Sequence, residues 1–282
     1  MQKFIFLFLI SLVAHGGIVN SDDRHEIQYS PLHIQEIAKS IAALIPKKNM
    51  TQLPNGDYKL HGLSYVDDLN FCSDERFVNE QKMIANCSAS LIGRKDILTA
   101  AHCIDEDHGY SIRDYYIVFD YKFNAETKSH IVVPKSSVFE INKLKQYTFD
   151  FPGDKDIARL ELKEAPKNRK ILKLARKRIS LSSEIYMLGF PFGLPMKYHD
   201  NGYITSETTF LNGQDSFTHS LDSFSVNSGS SIFDANTNEI VGVLVRGTGL
   251  NYTLDKERNC NIWGQGDHHF GEANYIDLLL EL

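Results

Sequence analysis

The sequence predicts an all-β fold entered through a short helical segment. From about residue 70, brief apolar runs alternate with polar or glycine-containing breaks, a texture of many short strands that belongs to sandwiches and barrels. Ahead of it lies a stretch with apolar residues at helical spacing. A chain of 282 residues can form one large domain or two small ones sharing an interface. The net charge of -6 gives no global attraction to nucleic acid or to an anionic membrane, so neither is expected as a partner.

Met1-Gln2-Lys3 followed by the apolar run Phe4 to Ala14 has the form of a secretory signal, with small residues at Gly16 and Gly17 for cleavage. We therefore expect a signal peptide over residues 1–17 and export. The run is shorter than the roughly 20 residues a bilayer span requires. No later segment is apolar enough to cross, so no membrane insertion is expected after cleavage.

Residues 18–70 read as a pro-like segment with one helix. Ser30-Pro31 predicts an N-cap and a first-turn proline; Ile34, Ile37, Ala38, Ile41 and Leu44 follow at helical spacing, and Pro46 stops the run. Pro54-Asn55-Gly56 is a turn signal within the connector 54–62. Such a segment would either pack its helix on the main domain or, as a pro-segment removed or retained, cover an active surface.

In the main domain, 71–282, strands are expected at Met83–Ala85, Ala89–Ile92, Ile97–Ala101, Tyr115–Phe119 and Ile131–Val133. More are expected at Ile157–Leu162, Ile185–Gly189, Gly202–Thr205, Ser231–Phe233 and Ile240–Val245. Between the halves, Lys167, Arg169, Lys170, Lys173, Arg176, Lys177 and Arg178 form a basic stretch, read as solvated surface. Export permits disulfides. Four cysteines, Cys72, Cys87, Cys103 and Cys260, allow three pairings. One of these closes the short loop Cys87–Cys103 and leaves Cys72–Cys260 as a long-range clasp. No Cys-x-x-Cys pair is present, so neither a zinc nor a redox centre is expected, and no cofactor.

The chemistry is carried by three segments. Asp96-Ile97-Leu98-Thr99-Ala100-Ala101-His102-Cys103 delivers a histidine through small residues to the edge of a sheet. Asp156 opens the alternating strand Ile157–Leu162 and suits the group that orients an imidazole and stabilises its charged form. Ser228 stands in the tight segment Val226-Asn227-Ser228-Gly229-Ser230-Ser231. Its hydroxyl needs a neighbouring base to become a nucleophile. Backbone N–H groups at such a turn can face a developing oxyanion. The order histidine, aspartate, serine binds the three into one hypothesis.

On these residues the chain resembles the secreted trypsin-like (chymotrypsin-fold) serine peptidases. Thr99-Ala100-Ala101-His102-Cys103 matches the histidine motif, Asp156-Ile157-Ala158 the aspartate motif and Asn227-Ser228-Gly229-Ser230 the serine motif. The last follows the bacterial, glutamyl-endopeptidase-like branch. Phe71-Cys72-Ser73-Asp74-Glu75-Arg76-Phe77 is similar to the start of the mature domain in that branch; the segments 189–195 and 242–247 are similar to parts farther along.

The resemblance implies two packed six-stranded β-barrels with a boundary at about 165–180. It implies a catalytic triad of His102, Asp156 and Ser228, and protein or peptide substrates. It makes Cys87–Cys103 the histidine-loop disulfide and gives Val226 and Ser228 the oxyanion-hole N–H groups. Asp222, six residues before Ser228, stands where trypsin-like enzymes place the pocket carboxylate that selects Arg or Lys, and Gly247 leaves room for a side chain to enter. Leu244 replaces the histidine of glutamyl endopeptidases, which disfavours a preference for Glu.

Two departures matter. Val226 replaces a glycine of the oxyanion hole, and a β-branched residue resists the backbone angles glycine tolerates. Asn227 replaces the aspartate that pairs with a freed N-terminus in animal enzymes, so any zymogen control works differently. A silent binding module on the same fold is the alternative, with Val226 closing the hole. An esterase is disfavoured because no Gly-x-Ser-x-Gly elbow surrounds Ser228.

Overall fold

The computed structural model describes residues 17–106, 109–124, 131–150, 155–207, 214–266 and 270–279. The expected signal peptide lies outside them except for Gly17.

The chain starts with β1 (Arg24–Glu26), then α1 (Leu32–Ala38) and β2 (Ile41–Pro46). The helix expected to reach Leu44 therefore ends at Ala38. Ser30 does not cap it: Pro31 is the N-cap, and the Ser30 hydroxyl closes the preceding turn on the Ile27 carbonyl at 2.6 Å. All six residues of β2 are buried. Their backbone pairs with Cys87–Ser90 on one side and Tyr115–Phe119 on the other. An apolar run buried on every face fits helix and strand alike, and tertiary pairing decides between them.

An insertion follows, with the short strands β3 (Met50–Gln52), β4 (Tyr58–Leu60), β5 (Leu63–Ser64) and β6 (Lys82–Met83). Its expected turn forms at Pro54-Asn55-Gly56, where Gly56 takes φ 91°. The Asn55 side chain accepts from the Asp57 N–H.

The first barrel comprises β2 with β7 (Cys87–Leu91), β8 (Asp96–Thr99) and β9 (Tyr115–Phe119); the short β10 (Val132–Val133) pairs with β4 outside it. It is completed by β11 (Val138–Phe149) and β12 (Asp156–Leu162), in the closed order β11-β12-β8-β7-β2-β9. The stretch 18–70, expected as a pro-like segment with one helix, contributes a strand to each barrel sheet. β2 is a barrel strand, and β1 joins the second barrel.

That barrel is built from β13 (Glu184–Gly189), β14 (Lys197–Ser206), β15 (Ser216–His219), β16 (Ser231–Asp234) and β17 (Ile240–Gly247). The hairpin β18 (Tyr252–Asp255) and β19 (Cys260–Trp263) projects before the last barrel strand, β20 (Gly271–Tyr275). The order β14-β13-β16-β17-β20-β15 closes through β14 and β15, and β1 adds to β14. Two antiparallel six-stranded barrels result, as expected. The segment 163–183 joins them.

Within that segment the basic stretch is only partly solvated. Arg169 bonds to Asp120 at 2.6 Å and lies over the Phe119 ring, while Arg178 pairs with Asp277 at 2.6 Å. Both disulfides form: Cys87–Cys103 spans the short loop, and Cys72–Cys260 ties the insertion to the β18–β19 hairpin. Tyr65, Phe71, Phe224 and Trp263 pack into an aromatic cluster beneath that clasp.

Candidate active site

The histidine is placed by the end of β8. Ala100 and Ala101 are fully buried in the first-barrel core, and a single 3-10 turn, Ala101–Ile104, then turns His102 outward. The disulfide fixes this turn to β7 from behind. His102 is 31% exposed at its side chain, the opening through which a substrate would meet it.

Asp156 grips the histidine twice. Its Oδ1 accepts from the His102 backbone N–H at 2.9 Å, and its Oδ2 lies 2.6 Å from Nδ1. With a carboxylate on Nδ1 the neutral ring carries its proton there, leaving Nε2 as the acceptor. Burial pushes the His102 pKa down, but the charge and hydrogen bond of Asp156 outweigh it. The net shift is upward from the ordinary 6.5, with Arg246 opposing and Asp105 assisting.

Asp156 is itself held from the second barrel. Its backbone N–H donates to the Asn274 Oδ1 at 2.6 Å, and Asn274 donates onward to the Ser216 hydroxyl. Sequence reasoning missed Asn274. Its only trace is an amide in the mixed run Gly271-Glu272-Ala273-Asn274-Tyr275, which has no strand-like apolar pattern.

Ser228 lies in the loop between β15 and β16, on the second barrel, and is nearly buried. Its carbonyl accepts from the Ser88 N–H of the first barrel at 2.7 Å, which draws the nucleophile loop against the histidine side of the cleft. A seam of hydroxyls extends that junction: Ser230 to Ser88 at 3.0 Å and Ser90 to Ser231 at 2.7 Å. Gly229 follows with φ 85°, and a Cβ there would meet the Ser88 carbonyl at 2.0 Å, so only glycine fits. The Cys103 Sγ lies 4.0 Å from His102 Nε2 and 3.8 Å from the Ser228 carbonyl. Among the described residues no hydrogen bond joins Ser228 Oγ to His102 Nε2; catalytic contacts are commonly long before substrate binds.

Val226 adopts φ 74°, the glycine-like region. The Asn227 N–H bonds to the Phe224 carbonyl at 3.1 Å, closing a four-residue turn with the positive φ at its third position. That is the type II pattern. A type I turn would need a negative φ there and would rotate the central peptide the other way. The Val226 and Ser228 N–H groups have no partner among the described residues, and both remain available to an oxyanion. Strain in a β-branched residue at this angle is on the order of 1–2 kcal/mol.

Asp222, the expected pocket carboxylate, is bound by backbone of the N-terminal segment. Its Oδ1 accepts from the Val19 N–H at 2.8 Å and its Oδ2 from the Asp23 N–H at 3.0 Å, and the residue is almost wholly buried. The strand-like segment Gly17–Val19 runs between Ser223 and Gly264–Gly266 to reach it. Backbone from the other end of the chain thus donates to both of its oxygens. Burial raises the Asp222 pKa to about 7, against the two N–H donors and Arg24. Leu244 is a core residue, and Gly247 pairs with Gly271 at the end of β17.

A family model described as a trypsin-like peptidase domain matches residues 87–243, more than half of the chain. Among solved structures, the VesB protease of Vibrio cholerae aligns with a TM-score of 0.52 at 15% identity. That match covers 86% of this chain and 62% of the other, so the chain spans under two thirds of that protein. A Glu endopeptidase in complex with MPD aligns at 14% identity and a TM-score of 0.49, over 93% of this chain and 96% of that one. No curated protein matches the sequence. At such identities the structural likeness bears on the fold, which is the chymotrypsin-like pair of barrels.

Proposed function

The chain belongs to the trypsin-like peptidase family, and on that premise we propose that it is a secreted serine endopeptidase acting on protein or peptide substrates. The observation that carries the reading is the doubly bonded pair His102–Asp156, set across a barrel junction from the Ser228 loop. Export rests on the signal-like residues 1–17 and on two disulfides, which persist in oxidising compartments. The peptidase domain in this reading begins at about residue 18, because β1 and β2 belong to the barrels; no separate covering pro-segment is invoked.

In the reaction, Ser228 Oγ attacks the scissile carbonyl while His102 Nε2 takes its proton. Asp156 holds Nδ1 and stabilises the imidazolium that forms. The oxyanion of the tetrahedral intermediate accepts from the Val226 and Ser228 N–H groups. Collapse expels the amine, which receives the proton from Nε2 and leaves an acyl group on Ser228. Water, deprotonated by the same nitrogen, then releases the acid and restores the serine.

A fluorophosphonate probe tests this directly. The folded protein should be labelled at Ser228, and Ser228→Ala should abolish the labelling. Folded, disulfide-intact protein that resists the probe would instead support the silent binding module, for which the strained Val226 is the specific motive. Recovery of labelling in Val226→Gly would then identify the closed oxyanion hole as the cause.

A further inference from the structure

The mechanism above leaves His219 unused. It closes β15, on the strand leading into the nucleophile loop, and is fully buried. Neither of its ring nitrogens has a hydrogen-bond partner among the described residues. Buried polar groups are nearly always satisfied, so an imidazole with two vacant positions calls for a reason.

The ring's place suggests one. His219 pairs across the sheet with Gly271, and Gly271 pairs on its other side with Gly247. A Cβ on Gly271 would lie 2.1 Å from the His219 Cε1 and 2.5 Å from Nε2, so the ring fills the space that a side chain at 271 would take. The end of β17 at Gly247 runs on to Asn251, whose amide bonds to both the backbone N–H and the hydroxyl of Ser225. Two segments, 222–226 and 247–251, are thus bonded to one another beside the oxyanion-hole turn. The glycine pair 247 and 271 adjoins them in the sheet, and His219 lies next to Gly271 on its other side.

The sheet face around His219 is otherwise apolar. Phe217, Ala273 and Leu244 are cross-strand neighbours of one another and share a sheet face with His219. The carboxylate nearest in sequence, Asp222, is held by the N-terminal segment. Burial is what lowers the His219 pKa, to about 3, so the ring is neutral and presents one donor and one acceptor.

We propose that His219 is the polar floor of the primary specificity pocket, and that it selects the carboxamide of Gln or Asn on the residue whose carbonyl Ser228 attacks. A carboxamide offers an oxygen acceptor and an N–H donor, the complement of a neutral imidazole. A carboxylate or an ammonium would enter an apolar floor that holds no countercharge, which is strongly unfavourable. The ring is out of contact with solvent in the free protein, so the entering side chain opens this floor. The inference rests on the serine peptidase reading and adds the substrate class to it.

The test is a library of internally quenched peptides varied at the residue before the cleaved bond, run on the wild type, His219→Phe and His219→Ala. Fluorophosphonate labelling of Ser228 is measured on the same samples. Wild type should cleave Gln and Asn peptides with kcat/KM roughly 10- to 100-fold above Ala, Glu, Lys or Arg peptides. His219→Phe, which keeps the ring volume, should erase most of that advantage while labelling proceeds at the wild-type rate. A basic, acidic or purely apolar preference in wild type overturns the proposal, as does a Gln/Asn preference that survives in a labelled His219 variant. Where neither variant folds, the wild-type profile alone decides. Unlabelled wild type would mean that the peptidase reading itself has failed.

Discussion

His102 is poised by two opposed influences, and its titration should be visible in catalysis. Nε2 must be unprotonated to accept from Ser228. Because Asp156 holds the imidazole pKa above 6.5 despite burial, the rising limb of kcat/KM against pH should lie above that value. Arg246 lowers the same pKa, so Arg246→Gln should move the limb to still higher pH; a pH–rate series on both proteins measures the difference. Val226 sits at φ 74° at a cost that glycine does not bear. Val226→Gly should raise stability in a denaturant titration by up to about 1 kcal/mol, strain relief being partly offset by greater unfolded-state entropy, and should preserve or increase the labelling rate. Asp222 has a folded pKa near 7 against an ordinary 3.8. Between those values the unfolded chain has released a proton that the folded protein retains, so stability falls as pH rises. Asp222→Asn should lack this component, and unfolding curves at pH 4, 5.5 and 7 for the two proteins should diverge accordingly.

At the scale of elements, β2 carries the main consequence. It lies between β7 and β9 and contributes Ala42 and Leu44 to the first-barrel core. A chain begun at residue 71 would leave that barrel with two unpaired edges. We expect the 71–282 fragment to show no cooperative unfolding and no probe labelling, while 18–282 shows both. Within the longer chain, Leu44→Ala should cost about 2–5 kcal/mol in a denaturant titration. The elements read correctly from sequence were those with short, apolar, β-branched runs, such as Tyr115–Phe119, which forms over the residues expected. β11 went unread because its twelve residues include Lys143, Lys145 and Gln146 on largely exposed positions. β15 and β20 carry no clear strand pattern because histidine, asparagine and glutamate interrupt them, and these polar residues are buried rather than solvated.

Across the whole molecule, the cleft exists because two barrels meet along a narrow polar seam. Ser88 and Ser90 of one barrel bond to Ser230 and Ser231 of the other, and Asn274 reaches back to Asp156. The disulfides act at different ranges. Loss of Cys87–Cys103, whose ends are 16 positions apart, should cost about 3 kcal/mol by loop closure, and loss of Cys72–Cys260, 188 apart, about 5 kcal/mol. Paired Cys→Ser variants compared by thermal unfolding would check the ranking. Only the first should also slow labelling of Ser228, because it alone braces the His102 turn.

The sequence by itself determined the fold class and the order of the three candidate segments, with the residue proposed at each. Those features are local: a histidine after a buried alanine pair, an aspartate opening a strand, a serine before a glycine that no other residue can replace. Tertiary structure decided what distant segments do to one another. It made an apolar run a barrel strand by giving it two partners. It bonded Asp222 to the backbone of residues 19 and 23, brought Asn274 behind Asp156, and set the bare ring of His219 beside Gly271. None of these is marked in the local pattern, because each depends on contacts between segments far apart in the chain, and a polar residue in a short run looks the same whether it faces water or a site.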